Sequence, residues 1–456
     1  MAIGTRARRR VTAQTKQVVR WGLGHAVPST VVRAAARRGD LQGRFIQSSR
    51  GGDPLAVFEE IRSHGPVYRG RFAYIVTSHP LVKAVLASND FAAGFAVPTG
   101  NDAMSRAFRW ADDSAALGPL RPPSLLVTEP PEHTRYRRLV SGVFTPRAVD
   151  RLRSRTEQVA AELLDGLAGR DQVELVDAYC TLLPVTVIAE ILGVPLAERE
   201  RVLAFGAAAA PSLDFGLPWR EFRRVEAALE AFDAWLGDHL AQLRRNTGDN
   251  LLSQLVAARD GGVGLDEREL KATAGLVLAA GFETTVNLLG NGIALLSAHR
   301  DQLAAVRAQP ELWPNAVEEV LRYDPPVLTT GRSAIRDTVV GDVPLRAGSF
   351  VTTLLAAANR DPEVFTDPAT FDVSRENARE HLSFSAGRHF CLGASLARME
   401  GDVGLRLLFE RYPELRVLPG ARRRSTRILR GYEQLPVALE QRAGVAPPDR
   451  AIRGAR

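Results

Sequence analysis

Residues 270–296 are apolar on nearly every face of a helix, yet their centre reads Ala279-Ala280-Gly281-Phe282-Glu283-Thr284-Thr285. A helix with no polar face has to be buried, so the rest of the chain must fold around it. With 456 residues, 45% of them hydrophobic and 24% charged, there is ample material for that wrapping, and disorder, collagen and a coiled-coil rod are excluded. The carboxylate is the anomaly. A buried, unpartnered charge is costly, so Glu283 is ionised beside a partner, neutral with a raised pKa, or set on a water channel. Gly281 costs about 1 kcal/mol relative to alanine, and the Thr284 hydroxyl can bond back to the Ala280 carbonyl and bend the helix. Together they open room for a small ligand; the other reading is a kink whose polar groups satisfy one another.

Helical periodicity dominates from about residue 147, through 149–167, 202–243 and 270–296. Strand-like stretches are few: 67–76, 333–343 and 350–355. No fixed-period repeat and no linker divides the centre. The organisation expected is a basic N-terminal arm (1–44), one large, mainly α domain with a small β region (45–442), and a flexible basic tail (443–456). No wholly apolar run reaches the roughly 18 residues a membrane helix needs; the longest candidate, 182–194, carries Glu190. Fifty-nine basic against 52 acidic residues give a net charge of +7, too mild over this length to imply nucleic acid. The arm holds Arg6, Arg8, Arg9, Arg10, Arg20, Arg33, Arg37 and Arg38, with no acid before Asp40. Three readings of it stay open: a solvated extension, a contact with an anionic membrane surface or partner, and a cleaved targeting segment.

Cys180 and Cys391 leave no disulfide framework. Cys391 lies in Phe384-Ser385-Ala386-Gly387-Arg388-His389-Phe390-Cys391-Leu392-Gly393, just before a long helical stretch. Bare backbone N–H groups and the positive end of a helix dipole favour a thiolate there, and a thiolate is what a metal binds. Gly387 and Gly393 let the backbone bend around the sulfur or approach a flat ligand closely. For a lone cysteine, burial in a glycine turn is the plain alternative.

Phe384, Gly387, His389, Cys391, Gly393, Leu396, Ala397 and Glu400 resemble the haem-binding signature of the cytochrome P450 family, with Ser385 where many bacterial members carry glycine. The resemblance covers about residues 45–440, and it is nearest to actinobacterial, mycobacterial-type members of unassigned substrate. It implies the cytochrome P450 fold as a single haem-binding domain, with haem b as cofactor and Cys391 as the metal ligand. Glu283 and Thr284 become the acid–alcohol pair that delivers protons to iron-bound oxygen. Leu276, Ala279, Ala280 and Leu328 become substrate contacts. Glu319 and Arg322 match the Glu-x-x-Arg lock around the cysteine loop. Residues 359–371 match the meander, whose arginine completes that lock.

Two haem propionates need cations. The resemblance points to His133 and Arg137, one turn apart, and to Arg332 and His389, with Phe384 and Gly393 framing the cofactor. Glu129, in place of a common aspartate, is expected to be harmless. Arg135 and Arg138, off the His133–Arg137 stripe, stay open to solvent or to an acidic iron–sulfur carrier. The activity implied is that of a cytoplasmic bacterial haem-thiolate monooxygenase. Electrons come from a ferredoxin-type carrier with its NAD(P)H-dependent reductase, and one atom of dioxygen enters an apolar small molecule such as a lipid, terpenoid or polyketide. Phe91, Phe95, Phe205 and Phe215 give that apolar bias, the other reading being that they belong to the core. The rivals are a haem-thiolate sensor that turns nothing over and a peroxide-driven peroxygenase; the acid–alcohol pair argues against both.

Overall fold

The computed structural model describes residues 14–48, 53–94, 103–112, 117–245, 248, 250–259 and 262–440. Arg6 to Arg10, Phe95 and the tail 443–456 lie outside the described residues.

The apolar segment is the 32-residue helix Glu267–Ala298, hereafter the central helix. A capping box sets its start. The Asp266 carboxylate accepts the Glu269 amide at 2.7 Å, and the Glu269 carboxylate accepts the Asp266 amide at 2.9 Å, which satisfies two amides that a helix start otherwise leaves bare. By length and composition this helix could cross a membrane, so the estimate from wholly apolar runs missed the longest candidate. Protein encloses it instead. Helices Leu182–Ile191, Arg199–Ala209, Trp219–Arg245, Trp313–Tyr323 and Ala394–Arg411 all pack against it. Leu289, Ile293 and Leu296 are wholly buried in the resulting core, each burial contributing about 1.5–3 kcal/mol.

The periodicity at 202–243 becomes two helices, Arg199–Ala209 and Trp219–Arg245. The turn between them carries Pro211 and Pro218, which cannot donate to a continuing helix. A five-stranded sheet stands to one side, in the spatial order Val67–Arg69, Tyr74–Val76, Phe350–Leu354, Thr329–Ala334, Phe91–Ala93. Tyr74–Val76 runs parallel to Phe350–Leu354 and the other pairs are antiparallel. The stretch 67–76 is thus a hairpin, and 333–343 divides between the end of one strand and the separate hairpin Thr338–Val340/Val343–Leu345. These residues bear out a mainly α fold with a small β region.

Residues 14–37 are helical, with a π-turn at Gly22–Ala26. They are seated on the start of Trp219–Arg245: Trp21 Nε1 donates to the Leu217 carbonyl at 2.9 Å, the Leu217 amide donates to His25 Nδ1 at 3.2 Å, and Arg20 pairs with Glu226. Residue 44 falls within the helix Leu41–Ser48.

Candidate active site

Cys391 stands three residues before Ala394, where the helix Ala394–Arg411 begins behind its cap Gly393. The Cys391 amide donates to the Phe384 carbonyl at 2.9 Å and closes the loop. Gly387, at φ +67°, is pressed onto the helix His79–Ala87, where a Cβ would meet Ala87 Cα and the Leu86 carbonyl at 2.7 Å. Ser385 takes φ 62°, a conformation glycine adopts freely, at a cost of about 1 kcal/mol. Phe384 is buried beneath this loop, 4.5 Å from the Arg398 guanidinium.

The two cysteines differ. Cys180 is wholly buried, and desolvation raises its thiol far above the ordinary range. Cys391 presents accessible surface. Burial still pushes its thiol up, against the Gly393 amide, Arg137 and Arg398, which pull it down. The Gly393 amide at the helix start acts in the expected direction, favouring the ionised form, but does not by itself outweigh burial. The charge of a coordinated metal does that outright.

On the central helix, the Thr284 hydroxyl donates to the Ala280 carbonyl at 2.9 Å, the back-bond anticipated from sequence. Ala280 is exposed and Leu276 and Thr284 are half-buried, in a helix whose neighbours Val277, Leu278 and Val286 are buried. An open face therefore exists at mid-helix. Ala279 belongs to the same turn. Leu328 does not join that face; it is buried with Ile75 and Leu354 under the sheet. Glu283 is 4% exposed, with Oε1 2.8 Å from Arg424 Nη1. Of the three states open to it, an ionic partner is present. Burial raises its carboxyl and Arg424 lowers it, burial having the larger effect. Thr285 reaches Glu400, a buried carboxyl that desolvation pushes well above its ordinary range against the Thr285 hydrogen bond.

The cations expected around a haem edge do converge. The rings of His133 and His389 lie 4.5 Å apart. His389 Nε2 is 3.1 Å from Glu129, and Arg388 donates to the same carboxylate at 2.6 Å. Arg332 is 4% exposed and, among the described residues, donates to Thr330 and the Gly331 carbonyl; burial lowers it to about 10. Half-buried Arg137 has no carboxylate partner among the described residues. Burial, then His389 and Arg137, drive His133 down to about 4. Arg137, with no carboxylate partner among the described residues, gives this cluster cationic charge that fits an incoming group bearing carboxylates. Glu129 was missed as a participant. Burial would raise it, but hydrogen bonds from His389, the Ala93 amide and Arg388 hold it at about 2. Arg135 is not open as expected: it donates to the Gly264 carbonyl at 3.1 Å and to Glu269 at 2.5 Å.

Glu319 and Arg322 form a wholly buried bidentate pair, both bonds at 2.7 Å. Arg322 also donates to the carbonyls of Asn359, Pro368 and Thr370. The arginine that completes the lock is Arg375, bonded to Glu319 and to the carbonyls of Thr366, Asp367 and Thr370. It lies four residues beyond the stretch singled out from sequence. Arg360, inside that stretch, instead lies 4.1 Å from the Tyr323 ring.

This chain is 49% identical over 441 residues to the cytochrome P450 140 of Mycobacterium tuberculosis, covering 95% of the chain and all of the relative. It belongs to the cytochrome P450 family. The family's profile, Cytochrome P450, matches residues 211–427. The 6-deoxyerythronolide B hydroxylase of Saccharopolyspora erythraea is 44% identical over 318 residues, spanning 69% of this chain and 77% of that one. Among solved structures, P450BioI in complex with hexadec-9Z-enoic acid ligated acyl carrier protein superposes with a TM-score of 0.78 at 32% identity, over 85% of this chain and 99% of that one. The chain is accordingly an oxidoreductase of the P450 type with a haem-thiolate cofactor, and its relatives are bacterial.

Proposed function

We propose that this P450 binds haem b through Cys391 and inserts one oxygen atom from dioxygen into an apolar small molecule. The observation that carries the reading is the pairing of one accessible cysteine, closed into a glycine loop at a helix start, with an opened acid–alcohol turn on a buried helix. When bound, the haem supplies the activation of dioxygen and the oxygen insertion. The protein holds and surrounds it. Cys391 Sγ takes the iron, with the Gly393 amide stabilising its charge. His133, Arg137, Arg332 and His389 neutralise the propionates, and Phe384 packs below the loop. Thr284 and Glu283 lie on the open turn, where a hydroxyl within about 2.6–3.2 Å of its partner, or one water away, can pass a proton. Ala280, Ala279 and Leu276 offer the substrate an apolar wall.

Electrons come in this proposal from a ferredoxin-type carrier and its NAD(P)H-dependent reductase. The substrate is a lipid, terpenoid or polyketide. Support comes from the apolar turn and from relatives named as a 6-deoxyerythronolide B hydroxylase and a polyketide biosynthesis cytochrome P450. The setting is the bacterial cytoplasm, the acid-free N-terminal segment making a weak contact with anionic membrane surfaces. The test is a titration of purified protein with a lipid, terpenoid and polyketide panel, read from the haem absorption shift. Saturable shifts from apolar members are expected; shifts from polar compounds alone would contradict the assignment.

A further inference from the structure

The turn 210–218 joins the helices Arg199–Ala209 and Trp219–Arg245, and such a connection ordinarily runs over the surface. Here Asp214, Gly216 and Leu217 are buried. Two other parts of the chain cover them. From one side the C-terminal loop reaches in. The Asp214 carboxylate accepts the amides of Arg427 and Ile428 at 2.9 and 3.2 Å. The Arg427 guanidinium lies 4.5 Å from the Phe215 ring and donates to the Phe215 carbonyl. From the other side comes the N-terminal helix. Besides the bonds that tie Trp21 and His25 to Leu217, the Trp21 ring meets Trp219 edge-on at 5.5 Å and the His25 ring meets Phe222 at 5.0 Å. Burial and the Arg427 charge hold His25 down at about 4, so near neutral pH its Nδ1 keeps the lone pair that the Leu217 amide needs. Gly216, at φ +78°, marks where the two covers close: a Cβ there would stand 3.2 Å from both Ser29 Cβ and Arg427 Nη2.

The same N-terminal helix reaches a second segment, with Lys16 Nζ 5.6 Å from the Trp110 ring of the helix Ala103–Ala111. Residues 14–37 thus bridge two stretches far apart in the chain. What the turn can move is visible in the helices it joins. Phe205 of the first and Phe232 and Trp235 of the second form one aromatic cluster, with ring centroids 5.3 to 6.0 Å apart. Phe232 rests on Gly275 of the central helix, where a Cβ would fall 3.2 Å from its ring. Gly275 directly precedes Leu276, on the open face. A displacement of the turn is therefore carried through these helices to the wall beside that face.

We propose that residues 14–37 form a strap: Trp21 and His25 are positioning residues that hold the turn 210–218 down, and their release from Leu217 widens the entry of bulky apolar ligands to the open face of the central helix. The inference rests on the reading of that face as the substrate wall, and adds to it the element that governs access.

The test uses the full-length holoprotein, its W21A/H25L variant and two readouts. Hydrogen exchange followed by mass spectrometry reports the strap itself. Exchange of the 210–218 amides should quicken about tenfold in the variant, the effect of losing one to two hydrogen bonds, while the helix Trp313–Tyr323 keeps its wild-type protection. Stopped-flow haem absorption reports entry. Association of clotrimazole, a bulky apolar imidazole, should quicken by a similar factor, and imidazole itself should bind at the wild-type rate. Unchanged exchange in the turn overturns the proposal, as does quickened exchange with clotrimazole still entering at the wild-type rate. An equal gain for imidazole and clotrimazole would mean general loosening and overturns it too. If clotrimazole binds neither wild type nor variant while imidazole binds both, the underlying reading of the open face fails instead. Should W21A/H25L not retain haem, W21F, which removes the indole N–H donated to Leu217, is read in the same two ways, with smaller gains in the same direction expected and their absence overturning the proposal.

Discussion

Glu319 and Glu283 are both buried, both helical and both paired with arginine, yet their surroundings differ. Glu319 takes two bonds from Arg322, one from Arg375 and one from the Asp372 amide. Arg322 has spent its remaining donors on carbonyls. Every polar atom there is matched, and nothing is left over to react. Glu283 has one arginine, no aligned hydrogen bond on Oε1, and an open turn beside it. A saturated pair fixes a conformation, whereas an unsaturated one keeps a carboxyl whose charge can change. The same chemistry thus serves as a saturated lock at one place and, in the function proposed above, as a proton-handling acid at another.

The sharpest way to break the comparison is to remove one partner from each pair. Arg322→Ala removes two of the four bonds to a buried, charged Glu319, and breaking a buried pair costs about 3–5 kcal/mol. We expect loss of haem retention and of cooperative denaturant unfolding. An R322A protein with wild-type unfolding would show that the lock carries no load. Glu283→Gln should leave unfolding and the haem spectrum nearly unchanged while substrate turnover falls about 100-fold, in the range for losing a positioned acid–base group. A large loss of stability with little loss of turnover would reverse the two roles. Glu129 gives the smallest effect. Its pKa is held below the ordinary 4.5, at about 2, so the stability it contributes is complete above pH 4.5 and is lost as the pH falls toward 2. Denaturant midpoints of wild type and E129Q should accordingly differ at pH 6 and converge as the pH approaches 2. A gap that widens in acid would contradict the assigned sign.

What the sequence disclosed follows from how its signals are spaced. Cys391 with its glycines, the Glu283–Thr284 pair and the Glu319–Arg322 turn each fall within a few residues, so local geometry could be argued before any fold was known. The central helix was legible because its apolar periodicity admits only burial, although its true start at Glu267 depended on the capping box. The contacts of Glu129, Arg375 and Arg424 went unread. Each makes its decisive contact with a residue far along the chain: Glu129 with Arg388, Arg375 with Glu319, Arg424 with Glu283. In an arginine-rich chain a single Arg in a loop has no pattern to mark it. Arg135 was misjudged for the same reason, since its helical face was readable but Glu269, packed across from it, was not.

The central claim is that the Cys391 sulfur holds the haem iron, and the reduced carbon monoxide spectrum tests it most directly. Purified wild-type protein is predicted to give the thiolate-type Soret band and Cys391→Ser to lose it; a nitrogen-type band in the wild type, or a thiolate band that survives in Cys391→Ser, would contradict the account.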